Sequence, residues 1–162
     1  MKIAVIFTGG TIGTVIKGNW MSTDESAKYA LISNYKKIDG ETEFVCFTPY
    51  TILSENLSAK ELNLLQKEVK ERLSENFDGI IVTHGTDTLR YTAAALGMAF
   101  TGCRIPVILV SSDYPLEDEK ANGNRNFEAA VAFIKSKKAF SIQLFFNFWV
   151  NIIHTFTSLF VE

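Results

Sequence analysis

Apolar residues in this chain fall into short continuous runs, and between the runs the spacing is helical. Residues 2–8 form the first run and are stopped by Gly9-Gly10. A second run, 43–53, is interrupted by Pro49, where a bend or strand end is expected. The third, 77–83, carries the triplet Ile80-Ile81-Val82, and the fourth, 104–112, has Pro106 near its start, where the ladder tolerates it. Continuous apolar runs of this length, without alternation, are the pattern of strands buried on both faces of a parallel sheet.

Ser58 and Glu61 form a capping box that opens a helix with Leu62, Leu65, Val69 and Leu73 on one face, ending near Asn76. A second helix is expected over 88–100, closed by Gly102. A third over 124–138 brings Phe127, Ala130, Val131 and Ile134 onto one stripe. Residues 15–26 are polar and poorly periodic and read as a long loop, and 113–123 read as a charged loop around Pro115. Strands and helices alternating at these intervals imply right-handed crossovers. The expected fold is α/β, a doubly wound, mostly parallel sheet with helices on both faces in a flavodoxin-like three-layer arrangement over residues 1–139.

After Ala139 the composition changes. Residues 140–161 contain no charge, and Gln143, Asn147, Asn151 and His154 are scattered among many phenylalanines. The stretch has the length of a membrane helix, but its amides argue against one. With neither a period of 2 nor one of 3.6, residues 140–162 are expected to be an atypical tail that replaces the fifth strand, from a truncated or frame-shifted end, with a native buried strand or helix as the alternative.

A formal charge of −2 over 162 residues leaves no basic face for nucleic acid and no basic stripe for a membrane surface. Cys46 and Cys103 have no metal-ligand spacing and are expected as buried thiols. The run after Met1 is a short strand rather than a signal-peptide core, which makes the cytoplasm the default compartment.

The candidate chemistry sits in two turns. Thr8-Gly9-Gly10-Thr11-Ile12-Gly13 follows the first run and His84-Gly85-Thr86-Asp87-Thr88-Leu89 the third. In a doubly wound sheet both strand ends open onto one crevice. Glycines permit close backbone approach and leave N–H groups to bind an anion. The spacing does not suit a dinucleotide fingerprint, because no acid ends the next strand. Asp87 could cap the following helix or bind an ammonium, and His84 could act as a base or simply bond the backbone. A threonine hydroxyl needs a neighbouring base to act as a nucleophile.

Over residues 1–138 the two blocks, in this order, resemble the N-terminal domain of the bacterial-type L-asparaginases. The resemblance implies hydrolysis of the side-chain amide of asparagine, or of glutamine, to the acid and ammonia, with neither a metal nor an organic cofactor. It implies Thr11 as nucleophile, Thr86 in a Thr-Lys-Asp relay, and Asp87 both in catalysis and on the substrate α-amino group. Ser54-Glu55 would clamp the substrate carboxylate, and the Ser112 backbone would line the pocket. Homo-oligomers and a second, C-terminal domain are implied for the full-length family, and that domain is expected to be absent here. The family's mobile-loop tyrosine has Trp20 as its nearest match, with Tyr29 as a substitute in another register. The relay lysine belongs beyond the fifth strand, and no lysine follows Lys138. Two other readings are an amino-acid-binding remnant without turnover and a flavodoxin-like domain holding a phosphorylated ligand at the glycine turn.

Overall fold

Every residue of Gly79–Thr83 and Val107–Val110 is buried, as two-sided burial in a parallel sheet demands. A computed structural model describes the backbone of residues 1–17, 20–23, 25–137 and 142–145, and the side chains of 1–12 and 29–137. The elements are β1 (Lys2–Phe7), β2 (Thr14–Lys17), β3 (Trp20–Thr23), α1 (Glu25–Lys36), β4 (Glu43–Phe47), α2 (Ala59–Leu73), β5 (Gly79–Thr83), α3 (Leu89–Ala99), β6 (Val107–Val110), α4 (Gly123–Ser136) and β7 (Ile142–Phe145). Among the described residues the main sheet has five strands in the order β4-β1-β5-β6-β7, all parallel. The expected α/β class and doubly wound topology are therefore observed.

Alternate residues of each strand feed two apolar layers. Val5, Ile81 and Ile108 pack with Leu31, Ile32 and Tyr35 of α1 and with Phe127, Val131 and Ile134 of α4. Ile6, Ile80, Val82 and Leu109 pack on the other side with Leu65 and Val69 of α2 and Leu96 of α3. Edge-on aromatic contacts join the α1 layer to the sheet edge, with Tyr35 centred 5.5 Å from Phe44 and 5.8 Å from Phe127. Gly79 leaves room for α4, since a Cβ there would come within 2.7 Å of Ile134 Cδ1. At the start of α2, Ser58 accepts from the Lys60 N–H and donates to the Glu61 carboxylate.

Three expectations need correction. Residues 15–26 are not one long loop: β2 and β3 pair as an antiparallel hairpin, and α1 then begins at Glu25. The signal for α1 lies in Leu31, Ile32 and Tyr35, a helical i, i+1, i+4 face that fills the core. The strand end expected at Pro49 is observed: the second apolar run ends as a strand at Phe47, and beyond Pro49 only Ile52 rejoins the sheet, in an isolated parallel bridge to Gly9. The fifth strand is not missing, because Ile142–Phe145 pairs with β6 in register from Val107↔Ile142 to Val110↔Phe145. Gln143 thus occupies a strand position next to Ile108. Finally, Cys46 is exposed on the edge strand and Cys103 is half-buried, so neither is a fully buried thiol.

The rest of the tail, residues 146–162, lies outside the described residues, as do the side chain of Trp20 and the 138–141 junction. Among the described residues no helix is long and apolar enough to cross a membrane.

At the end of α4, Lys137 takes the left-handed conformation, with φ 52°. An L side chain pays for that geometry in contacts with its own backbone and glycine does not. Lys137→Gly is expected to stabilise the fold by about 1 kcal/mol in urea unfolding. Lys137→Ala should show no such gain, and equal gains in both would mean that removing the charge is what matters.

Candidate functional site

β1 and β5 are adjacent in the sheet, while the connections leaving them lead to helices on opposite faces. In open α/β sheets this reversal opens a crevice at the carboxyl ends of the strands. The two glycine-containing turns therefore meet where a ligand crevice belongs.

The contact between them is backbone on backbone. Gly9 and Gly10 have φ of +103° and +72°. A Cβ at Gly10 would lie 2.4 Å from both Cα and N of Gly85, and one at Gly9 would lie 2.2 Å from the Ile52 carbonyl oxygen. The Gly10 N–H donates to that carbonyl at 2.9 Å, and the Ile52 N–H donates to the Thr8 carbonyl at 3.1 Å. The Thr8 hydroxyl donates to the Thr83 carbonyl at 2.7 Å. Thr11 opens the 3₁₀ turn Thr11–Gly13, and its neighbour Ile12, 1% exposed, plugs the turn into the α1 layer. Thr11 is thereby fixed beside the Gly10–Gly85 contact.

Two residues beyond Ile52, Ser54 begins a second 3₁₀ turn, Ser54–Asn56, and reaches the other block. Its hydroxyl donates to Asp87 Oδ2 at 2.8 Å and accepts from the Asp87 N–H at 3.2 Å. The Thr88 hydroxyl donates to the Ser54 carbonyl at 3.0 Å. Ser54 is buried, whereas Asp87 and Glu55 are exposed and Thr86 is half-buried. Thr88, not Asp87, stands at the N-cap of α3, which leaves Asp87 bonded to Ser54 instead of capping the helix.

Ser112 does not join this group by any side-chain bond. Its hydroxyl donates to the Tyr114 carbonyl at 2.6 Å and accepts from the Gly123 N–H at 3.1 Å, so it ties the loop after β6 to the start of α4. Asn122 Oδ1 accepts from the Asp113 N–H at 2.9 Å and reinforces the same loop. Tyr29, on α1, is 68% exposed.

The sequence reading passed over several buried polar groups under these loops. Thr92 on α3 meets His84, and Tyr50 packs beside Thr8, Ile52, Ser54 and His84, where burial pushes its phenol up to about 12. Among the described residues the Thr83 and Ser111 hydroxyls are buried without a hydrogen-bond partner. Burial also holds His84 below the usual imidazole pKa, only partly opposed by its bond to the Gly85 carbonyl. Among the described residues no cluster of His, Cys, Asp and Glu could hold a metal ion.

Residues 2–154 match the family described as Asparaginase, N-terminal. The chain belongs to the asparaginase family. The solved thermostable L-asparaginase of Thermococcus kodakarensis superposes with a TM-score of 0.77 at 28% identity, over 90% of this chain and 44% of that one. The probable cytoplasmic L-asparaginase of Campylobacter jejuni gives 0.75 at 28% identity with the same coverage. Similar curated proteins include the glutamyl-tRNA(Gln) amidotransferase D subunit of Saccharolobus islandicus, 33% identical over 132 residues, 75% of this chain and 28% of that protein. That of Thermoplasma acidophilum is 30% identical over 140 residues, 82% of this chain and 32% of the relative. The asparaginase domain seen here thus spans less than half the length of these relatives.

Two outcomes follow from this packing. Gly10→Ala should lower stability by at least about 2 kcal/mol, measured by urea unfolding, since it adds both a left-handed L residue and a backbone clash. The second concerns pH. The unfolded chain protonates His84 near the ordinary value of about 6.5, and the folded chain does so only at lower pH. Stability is therefore full above about pH 6.5 and is lost as pH falls toward the depressed folded value. The urea midpoint should decline between about pH 7 and pH 5, and His84→Asn should flatten that slope. Asp39, held low by Lys135, Thr42 and the Glu41 N–H, adds its own loss only below about pH 4.

Proposed function

We propose that this chain is an amidohydrolase domain of asparaginase type that hydrolyses the side-chain amide of L-asparagine to L-aspartate and ammonia. The observation that carries the reading is the fusion of three loops into one site by the Gly10–Gly85 approach and the Ser54–Asp87 pair. In this reading the Thr11 hydroxyl attacks the amide carbon, its proton passes through the Thr86 relay to the amide nitrogen, and ammonia leaves the tetrahedral intermediate to give an acyl-threonine ester. Water then cleaves the ester and restores Thr11. Thr11, Thr86 and Asp87 are the catalytic residues, and Ser54, Glu55, Asp87 and Ser112 form the substrate side.

Recognition of a free amino acid follows from the Ser54–Asp87 geometry. The one proton of Ser54 is donated to Asp87. An α-ammonium neutralising that carboxylate by a charge-assisted hydrogen bond would let the hydroxyl turn its proton to the α-carboxylate. The zwitterion as a whole, rather than either charge alone, is what this pair accommodates. The likeness to amidotransferase D subunits supports glutamine as a second substrate. Location in the cytoplasm and assembly as a homo-oligomer belong to the same proposal; the C. jejuni neighbour, a probable cytoplasmic enzyme, supports the former. Residues 1–139 form the asparaginase-like unit of this reading, with 140–162 as its atypical continuation.

A second reading has one observation in its favour. The relay implied by the family uses a lysine beyond the fifth strand, and residues 146–162, which follow that strand, hold none. A site with Thr11, Ser54 and Asp87 but no relay cation would bind the amino acid and turn it over slowly, since members of a catalytic unit do not act additively.

The deciding experiment is ammonia release from L-asparagine and L-glutamine by the 162-residue chain, with Thr11→Ala as control. Release from L-asparagine that Thr11→Ala abolishes is the expected result. Release that survives the substitution removes Thr11 as nucleophile. No release from a folded chain whose thermal midpoint rises with L-asparagine supports the binding reading instead.

A further inference from the structure

His84 lies between β5 and the Gly85-Thr86-Asp87 turn and is 2% exposed. Its Nδ1 is 2.8 Å from the Gly85 carbonyl oxygen, and its Nε2 is 2.9 Å from the hydroxyl of Thr92, which is fully buried on α3. A carbonyl oxygen can only accept, so Nδ1 must carry the proton. Burial disfavours a second proton on the ring, so Nε2 is an acceptor and the Thr92 hydroxyl is its donor. The result is a one-way chain, with Thr92 donating to His84 and His84 donating to the Gly85 carbonyl. Both ring nitrogens are used within the protein, which leaves no atom of His84 to take a proton from a substrate.

What the chain fixes is a peptide plane. No cis peptide occurs among the described residues, and in a trans peptide the carbonyl and the following N–H point in opposite directions. The Gly85 carbonyl is held toward the buried imidazole, so the Thr86 N–H points away from it. Among the described residues that N–H has no hydrogen-bond partner. An unengaged, preoriented backbone donor at the edge of a crevice suits an oxygen that gains negative charge.

We propose that His84 is a positioning residue: as a neutral imidazole protonated on Nδ1 and anchored by Thr92, it holds the 85–86 peptide so that the Thr86 N–H is presented to the side-chain oxygen of the substrate. The identity of that acceptor rests on the amidohydrolase reading. The tautomer and the peptide orientation rest on the hydrogen bonds alone.

The test uses the ¹⁵N-labelled 162-residue chain, whose two histidines are distinguished by a His154→Asn substitution. Long-range ¹H–¹⁵N spectra should show His84 protonated on Nδ1 only, unchanged between roughly pH 8 and pH 6. Thr92→Val should move the Nε2 resonance without changing the tautomer. L-aspartate, the product of the proposed reaction, should shift the Thr86 amide. His84→Asn, which places an amide donor near the Nδ1 position, should keep that shift. His84→Leu should lose it and weaken L-aspartate binding about tenfold or more, with the other amides still dispersed as in a folded chain. An Nε2-protonated ring, ordinary titration near pH 6.5, or a His84→Leu protein that responds like the parent overturns the proposal. If L-aspartate moves no amide while the tautomer holds and the ligand-free Thr86 amide resonance is kept in His84→Asn but displaced in His84→Leu, the amidohydrolase reading falls and the positioning of the peptide stands.

Discussion

The approach of Gly10 to Gly85 is the constraint on which the rest of the site depends. Two strand-end turns can share one crevice only if their backbones touch, and here there is no space for a Cβ between them. The requirement is doubled at Gly10, because its φ of +72° is itself strained for an L residue. With that contact made, Ile52 can bridge to Gly9, Ser54 comes within reach of Asp87, and Thr11 is carried to the same place by its buried neighbour Ile12. Without it, the loops after β1, β4 and β5 would be three separate turns.

Parallel pairing of β1 with β5 brings the glycines together, and a parallel sheet must be covered on both faces to be stable. Hence the two apolar layers are conditions for the site as much as for the fold. The α1 and α4 layer holds Ile12 and through it the first turn. The α2 and α3 layer holds Leu89 and Leu96, and with them the helix that presents Thr92 to His84. Each turn is thus anchored from a different face of the sheet, which keeps their mutual position rigid while their tips remain open.

Much of this was legible in the sequence, and the exceptions have physical reasons. The strands of the main sheet before residue 140 and the helices α2, α3 and α4 could be read because continuous burial and helical spacing are both periodic signals. The hairpin of β2 and β3 could not, since its two strands are only four residues each, too short for a period to stand out in the sequence. Helix α1 was hidden because only Leu31, Ile32 and Tyr35 mark it, within a polar context. β7 was missed for another reason: in residues 140–161 amides and hydroxyls are scattered among phenylalanines with no period to distinguish the four paired residues from their neighbours. At the site, the two turns and Ser54 were found from residue type, whereas Thr92 lies eight residues from His84 inside a helix and is located only by packing.

The same transition ends all three central strands. Val5-Ile6-Phe7 gives way to Thr8, Ile80-Ile81-Val82 to Thr83-His84, and Leu109-Val110 to Ser111-Ser112, with every one of these polar residues no more than 3% exposed. Buried hydroxyls and an imidazole are less stable there than aliphatic side chains would be, the more so for Thr83 and Ser111, whose hydroxyls have no partner among the described residues. A sheet selected for stability alone would have continued its aliphatic runs to the strand ends. The polar residues instead form a buried floor beneath the glycine turns, where Thr8 bonds the Thr83 carbonyl, His84 the Gly85 carbonyl and Ser112 the start of α4. Each of these bonds fixes a backbone group at the rim of the crevice, so stability given up at the strand ends is converted into a fixed backbone orientation at that rim.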